Sequence, residues 1–349
     1  MLLVVSSAVG LVAYALHFDP AAEDIPGQRA RLANRTVLPM TAHVEAASLL
    51  LDVKRLADPA MQGRQMDTPG AARARAYIEQ RFLEIGVAPF AGGFKRRFTH
   101  APTRGYRFWE AEFRNPPRRQ QGVNIIGFIR GSEFPQQFLV LTAHYDHLGT
   151  KDGVIFPGAD DNASGVAALL AVASDLKAKP PRHSVLLAAL DGEEPGLLGA
   201  YALLRSPPVP LRAMLVDINL DMLSRSRAGE LNISGLYANP QLQPITDALR
   251  ATAVPMLLYG HDHPRPFWDQ GDWTRSSDHG PFHEAGIPFL YLGVEDHVDY
   301  HSPSDTFENM DQPFYIAVVN TVIDLVGALD AHDARQLAKP AQASRWSRR

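Results

Sequence analysis

The sequence predicts an α/β fold with a mostly parallel, twisted central sheet and helices on both faces. Three observations predict it. Short apolar runs at 138–143 (FLVLTA), 184–190 (SVLLAAL) and 213–220 (AMLVDINL) have the character of parallel strands buried on both sides. Helical patterns lie between them, so strand and helix alternate. The chain has 349 residues, 46% hydrophobic and 21% charged, which fits a globular protein built around one large sheet.

The elements follow in order. Residues 41–90 read as helical: Ala46, Leu49, Leu50, Val53 and Leu56 keep helical spacing, as do Ala74, Tyr77, Ile78, Phe82 and Ile85. MQGRQMDTPG at 61–70 reads as a loop between them. Residues 94–128 carry short strand-like runs broken by Pro102, Pro116 and Pro117. After the first buried strand comes an apolar helix at 163–177. The second strand leads to a helix at 197–204. The third is followed by a shorter strand at 230–235 (ELNISG) and a helix at 240–251. VPMLLYG and IPFLYLG are further strands, and 313–329 is a closing amphipathic helix. No repeat and no low-complexity linker divides the body, so 41–332 is expected to be a single catalytic domain.

The two ends read differently. Residues 2–18 (LLVVSSAVGLVAYALHF) are apolar and uncharged. As a helix they would reach about 25 Å, slightly short of a ~30 Å hydrocarbon core. Asp19, Glu23 and Asp24 follow, with no basic residue before Arg29. That flank is expected to face away from the cytoplasm. The run is read as an export signal, with Ala13-Tyr14-Ala15 a weak cleavage match, or as a single membrane anchor, a buried amino-terminal helix being the other reading. The protein is therefore expected to be exported: periplasmic, membrane-anchored or secreted. Residues 19–40 are read as a linker. Residues 333–349, with Arg335, Lys339, Arg345, Arg348 and Arg349, are read as a basic disordered tail.

Charge and composition exclude several functions. Lys plus Arg total 34 against 38 Asp plus Glu, a formal net charge of -4, which is not the profile of a nucleic-acid binder. Cysteine is absent, which excludes disulfides, thiolate zinc sites, iron–sulfur clusters and a cysteine nucleophile. A transition metal would have to be held by Asp, Glu and some of the 13 His residues.

In folds of this class ligands bind beyond the carboxyl ends of the strands. The residues there are His144 and Asp146 in HYDHLG, Asp191, Glu193 and Glu194 in DGEE, and Asp221 after the third strand. Asp160 and Asp161 stand in GADDNASG before a helix, and His301 and Asp305 in DYHSPSDT. Each has a structural reading when taken singly. His144 could be a satisfied loop histidine, Asp160-Asp161 a helix cap, Glu193-Glu194 a solvated turn, and Asp221 half of an ion pair. His144 and Asp146 are two apart and share one side of an extended chain, which suits a His ligand oriented by a carboxylate. His147 points to the other face and is not expected to be a ligand. His261 and His263 read as loop residues. Together the cluster suits Zn²⁺ held by N and O ligands, or a paired-metal site with a shared carboxylate.

The strings NIIGFIRG, LTAHYDHLG, PGADDNASGVAALL, LDGEEPGLLGA, INLDM, SSDHGPFHEAGIP and DYHSPSDT come in the order found in the zinc-dependent exopeptidases of metallopeptidase family 28. Over roughly 45–330 the chain resembles the bacterial leucyl-aminopeptidase type of that family. MQGR followed by TPG resembles the family's leading helical segment. The resemblance implies the zinc-aminopeptidase (phosphorylase/hydrolase-like) fold and two Zn²⁺. It implies that Asp160 bridges both ions, with His144 and Asp221 on one and Glu194 and His301 on the other. Glu193 would be the general base and Asp146 would orient His144. A cis peptide is implied between Asp160 and Asp161, and Asp278 and His279 would lie beside the substrate. Ser224 departs from a frequent Gly, with no effect expected on the metal. The span 100–122 leaves no room for an inserted accessory domain.

The expected function is removal of an amino-terminal residue from peptides, with apolar residues preferred. Trp268, Trp273, Phe282 and Phe267 are candidates for an apolar pocket, and core packing is the other reading of each. A carboxypeptidase of the same fold would need an Arg aimed at the substrate carboxylate, and Arg275 and Arg265 lie in the right stretch. Further alternatives are a single-zinc glutaminyl cyclase and a metal-free, receptor-like relative.

Overall fold

The computed structural model describes residues 25–33, 35, 37, 41–100, 120–263 and 271–338. The apolar run at 2–18, the span 101–119 with its implied lack of an insert, and Arg265, Phe267 and Trp268 lie outside them. The strands are β1 (Ala88–Pro89), β2 (Lys95–His100), β3 (Gln120–Ile129), β4 (Phe134–His144), β5 (Thr150–Lys151), β6 (Val154–Ile155), β7 (His183–Leu190), β8 (Met214–Leu220), β9 (Glu230–Ser234), β10 (Met256–Tyr259) and β11 (Phe289–Gly293). Nine of them form the main sheet in the order β1-β3-β7-β4-β8-β11-β9-β10, with β2 also on β3. The central strands β7, β4, β8 and β11 are mutually parallel, as expected. The flanks are not: β3 runs antiparallel to β7, and β9 antiparallel to β11. Only four residues separate β3 from β4, too few for a parallel crossover, so the chain reverses there.

The helices are α1 (Ile25–Leu32), α2 (Ala46–Leu56), α3 (Pro69–Ile85), α4 (Gly165–Ala178), α5 (Leu198–Arg205), α6 (Gln243–Arg250), α7 (His279–Glu284), α8 (Gln312–Asp330) and α9 (Ala334–Leu337). Their ends follow local chemistry. The Glu45 carboxylate caps α2 by accepting from the N–H of Ala47 and Ser48. Thr68 caps α3, Pro69 opens it, and Gly86, at φ 84, closes it in the left-handed region. One face of the sheet meets α4 and α8 over a core that includes Leu169, Leu170, Leu187, Ile218, Val319 and Val322. The other meets α5 and α7 over Ile126, Val140, Leu186, Leu203 and Phe282. Helix α8 is long and apolar enough to cross a membrane, yet most of it is buried in this core.

Two segments flanking the expected 41–332 domain pack against it. Part of the 19–40 segment is α1, which covers the edge strand β10. The Gln28 side chain donates to the Tyr259 carbonyl at 2.7 Å and accepts its N–H at 2.9 Å, satisfying an exposed strand edge. Arg29 pairs with Glu230 through two bonds of 2.6 and 2.7 Å. Of the tail expected from 333, Ala334–Leu337 form α9, and 339–349 lie outside the described residues. Asp333 and Gln336 form a capping box, and Leu337 is buried.

MQGR, expected as loop, is a short 3₁₀ segment (Pro59–Arg64) that delivers a fully buried guanidinium. Arg64 donates to the carbonyls of Tyr145 (2.7 Å), Leu56 (2.7 Å), Pro157 (2.5 Å) and Gly158 (2.8 Å). It ties the end of β4 to the loop that precedes α4. Burial lowers its pKa to about 10, and the fields of Asp161, Asp305, Asp146 and Glu194 oppose that, so it stays charged at neutral pH. Arg64→Met leaves these buried acceptors unpaired and is expected to cost about 3 kcal/mol or more. Denaturant unfolding measures this, and a loss below ~1 kcal/mol would contradict it.

Candidate metal centre

Parallel register aligns the carboxyl ends of four strands. His144 lies opposite Leu190, and Leu292 opposite Leu220, so the residues after β7, β8 and β11 emerge beside the end of β4. There the structure forms two donor sets. His144 Nε2 lies 3.3 Å from Asp161 Oδ1 and 3.2 Å from Asp221 Oδ1. His301 Nε2 lies 3.1 Å from Asp161 Oδ2 and 3.4 Å from Glu194 Oε2. Asp161 turns one oxygen to each set.

The carboxylate shared between the sets is thus Asp161, not Asp160. The Asp160 Oδ1 oxygen accepts the Ser224 N–H at 2.6 Å and the Ser224 hydroxyl at 2.8 Å. Its Oδ2 accepts from His297 Nε2 at 3.0 Å. These bonds turn the Asp160 side chain away from both sets. The cis peptide likewise lies one residue later than expected, at Asp161-Asn162. Asp305 sets the loop's direction, because its carboxylate accepts the backbone N–H of both Asp160 and Asp161. Ser224, noted only as a departure from Gly, anchors Asp160.

Two other expectations change. The Asp146 carboxylate does not orient His144: Nδ1 of His144 donates to the Asp146 backbone carbonyl at 3.2 Å, whereas the carboxylate is 3.8 Å away. That carboxylate instead accepts the Glu193 backbone N–H at 3.1 Å, holding the DGEE turn. His147 does not point away. Its Nδ1 lies 2.7 Å from Glu194 Oε1 and 3.6 Å from Asp161 Oδ2, because the chain leaves the extended conformation after β4.

Electrostatics follow from this crowding. Burial pushes the Glu193 carboxyl well above its ordinary range; His144 opposes this, and Glu194, Asp221 and Asp278 reinforce it. Burial acts in the same direction on Asp161, but His147, His144 and His301 hold it well below the usual carboxylate range. Burial would lower His301, yet Asp161 and Glu194 raise it to about 9. So dense a set of carboxylates is costly unless cations compensate it. The donors are imidazole nitrogens and carboxylate oxygens, and separations near 3.3 Å match neighbouring ligands about 2.0–2.1 Å from a tetrahedral ion. The residues therefore fit zinc.

Asp278 and His279 are fully buried. Both Asp278 oxygens lack a hydrogen-bond partner, and burial raises its carboxyl to about 7, with His144 opposing and Asp221 adding to the shift. His279 Nε2 donates to the Trp273 carbonyl at 2.7 Å, and its ring stacks on Phe289. Trp273 stacks on His261 at 3.7 Å between centroids, and His261 pairs with Glu295 at 2.9 Å. Phe282 belongs to the core. Arg275 pairs with Glu284 at 3.2 Å. Asp191 accepts the Val123 N–H at 2.9 Å and is a structural residue.

Comparison with known proteins identifies the family and the fold. Residues 124–326 match the sequence profile of peptidase family M28. Aminopeptidase YwaD of Bacillus subtilis is 33% identical over 203 residues, 55% of this chain and 41% of that protein. The chain spans about half the length of the curated relatives it matches. A zinc aminopeptidase structure from Bacillus subtilis superposes with a TM-score of 0.64 at 18% identity, covering 87% of this chain and 100% of that one. Glutaminyl cyclase from Porphyromonas gingivalis gives 0.62 at 20% identity, covering 82% and 99%. At these identities the two structures establish the fold.

Proposed function

The chain belongs to peptidase family M28, and from that premise we propose that it is a two-zinc aminopeptidase that removes amino-terminal residues from exported or extracellular peptides. The observation that carries the reading is Asp161, which offers one oxygen to the His144–Asp221 set and the other to the His301–Glu194 set. A single-zinc cyclase has no need of a carboxylate shared in this way.

His144, Asp221, Asp161, Glu194 and His301 would hold the zinc, which would supply Lewis acidity toward the scissile carbonyl and lower the pKa of water from about 15.7 toward about 7. Glu193 is the general base: it takes a proton from the attacking water and delivers it to the leaving amine nitrogen. Its backbone is held by Asp146, so the carboxyl has a defined approach. The surrounding acidic groups favour a protonated α-amine at the substrate's end. Arg275, the described candidate for gripping a terminal carboxylate, is engaged by Glu284, which supports the amine end over the carboxyl end. Export rests on the apolar sequence at 2–18.

Leucyl and phenylalanyl anilides are expected to be cleaved and their N-acetylated forms to resist. Equal cleavage of free and blocked forms would refute amine recognition, and cleavage only from the carboxyl end would establish a carboxypeptidase. Chelation is expected to abolish activity, and about two equivalents of Zn²⁺ to restore it. Full activity in metal-free protein would end the reading.

A further inference from the structure

Besides the five residues of the two donor sets, one more histidine faces the site: His147, Asp161 and Glu194 bring donor atoms close enough together to hold an ion, so the ring is either a further ligand or a partner of one. Nδ1 of His147 lies 2.7 Å from Glu194 Oε1, a hydrogen bond to the oxygen that does not face His301. The ring is fixed in place. Its edge packs on Gly158, where an added Cβ would come within 2.6 Å of the ring, and Gly158 is itself at φ 60. It meets His301 edge-on at 5.8 Å.

We propose that His147 is a positioning residue for Glu194: its Nδ1–H fastens Oε1 and leaves Oε2 presented beside His301. This rests on the paired-zinc reading and adds a task that reading does not contain. The unused ring nitrogen decides between positioning and direct ligation. Nε2 of His147 is buried and has no hydrogen-bond partner among the described residues. A histidine that binds a metal through one nitrogen carries its proton on the other and almost always donates it to an acceptor, as His144 does to the Asp146 carbonyl. His147 offers no such acceptor. At 2.7 Å from Oε1, against 3.1–3.4 Å between the donors within each set, Nδ1 of His147 is at hydrogen-bond distance and donates to Glu194 rather than standing as a further ligand.

The test is zinc titration of metal-free full-length protein against a competing chelator, with the visible spectrum of the Co²⁺-substituted protein as a second readout. His147→Leu removes the donor and is expected to weaken one of the two zinc equivalents by about 10–100-fold, leaving the other within a few-fold. His147→Asn places an amide N–H where Nδ1 stood. It is expected to bind both equivalents within a few-fold of the parent and to keep the cobalt spectrum. His147→Leu titrating like the parent overturns the proposal. So does His147→Asn binding as weakly as His147→Leu, or showing a changed cobalt spectrum, since a ligand is not rescued by an amide donor. If His147→Leu does not fold, the Asn variant decides alone by the same criteria. A parent protein that takes up a single zinc overturns the paired reading itself, and this assignment with it.

Discussion

Glu193→Gln is expected to lower kcat on leucyl anilide by at least ~10²-fold, with bound zinc and thermal stability unchanged. The amide keeps the shape of the side chain but cannot accept a proton from water. Because burial and the neighbouring carboxylates raise the Glu193 carboxyl, losing its charge relieves repulsion, so no fall in stability is expected. KM should move little, since the group acts on the proton in flight rather than on the bound peptide. Steady-state kinetics beside zinc analysis of the same sample checks this. Loss of zinc together with activity would make Glu193 a ligand, and a kcat near that of the parent would remove it from the reaction.

Asp161→Ala is expected to release both zinc equivalents and to lower activity at least as much, because one side chain serves the two donor sets. Asp160→Ala, one residue away, should retain zinc. Its loss frees the Ser224 N–H and hydroxyl and the His297 ring from their acceptor, a stability cost of about 1–3 kcal/mol. Zinc stoichiometry and denaturant unfolding of the two variants separate the roles. The reverse pattern, with Asp160→Ala losing zinc and Asp161→Ala keeping it, would return the shared position to Asp160.

Much of this site was legible in the chain because its residues follow strands that announce themselves. Buried parallel strands are apolar runs, and a polar residue directly after one has to lie at a strand end. His144, Glu193, Glu194 and Asp221 were found that way. His301 came from a motif far along the chain, and the structure brings it to the same edge. The two adjacent aspartates show where that logic stops. Asp160 and Asp161 are identical in chemistry, and both lie outside the regular part of α4, so neither periodicity nor composition orients them. Asp305 and Ser224, distant in sequence, decide which one faces the cleft.

His147 turns toward the site for a related reason. Alternation of side chains holds only while the chain is extended, and β4 ends at His144. The tertiary structure also settled the direction of the flanking strands, the docking of α1 on the edge of β10, and the burial of Arg64. By itself the sequence determined the α/β class, the central parallel strands, the absence of thiol chemistry and the set of strand-end donors, since each is written in local pattern or composition. Only the folded structure decided which carboxylate is shared and what orients it. Those choices rest on hydrogen bonds between segments up to 145 residues apart, and no local pattern encodes such a bond.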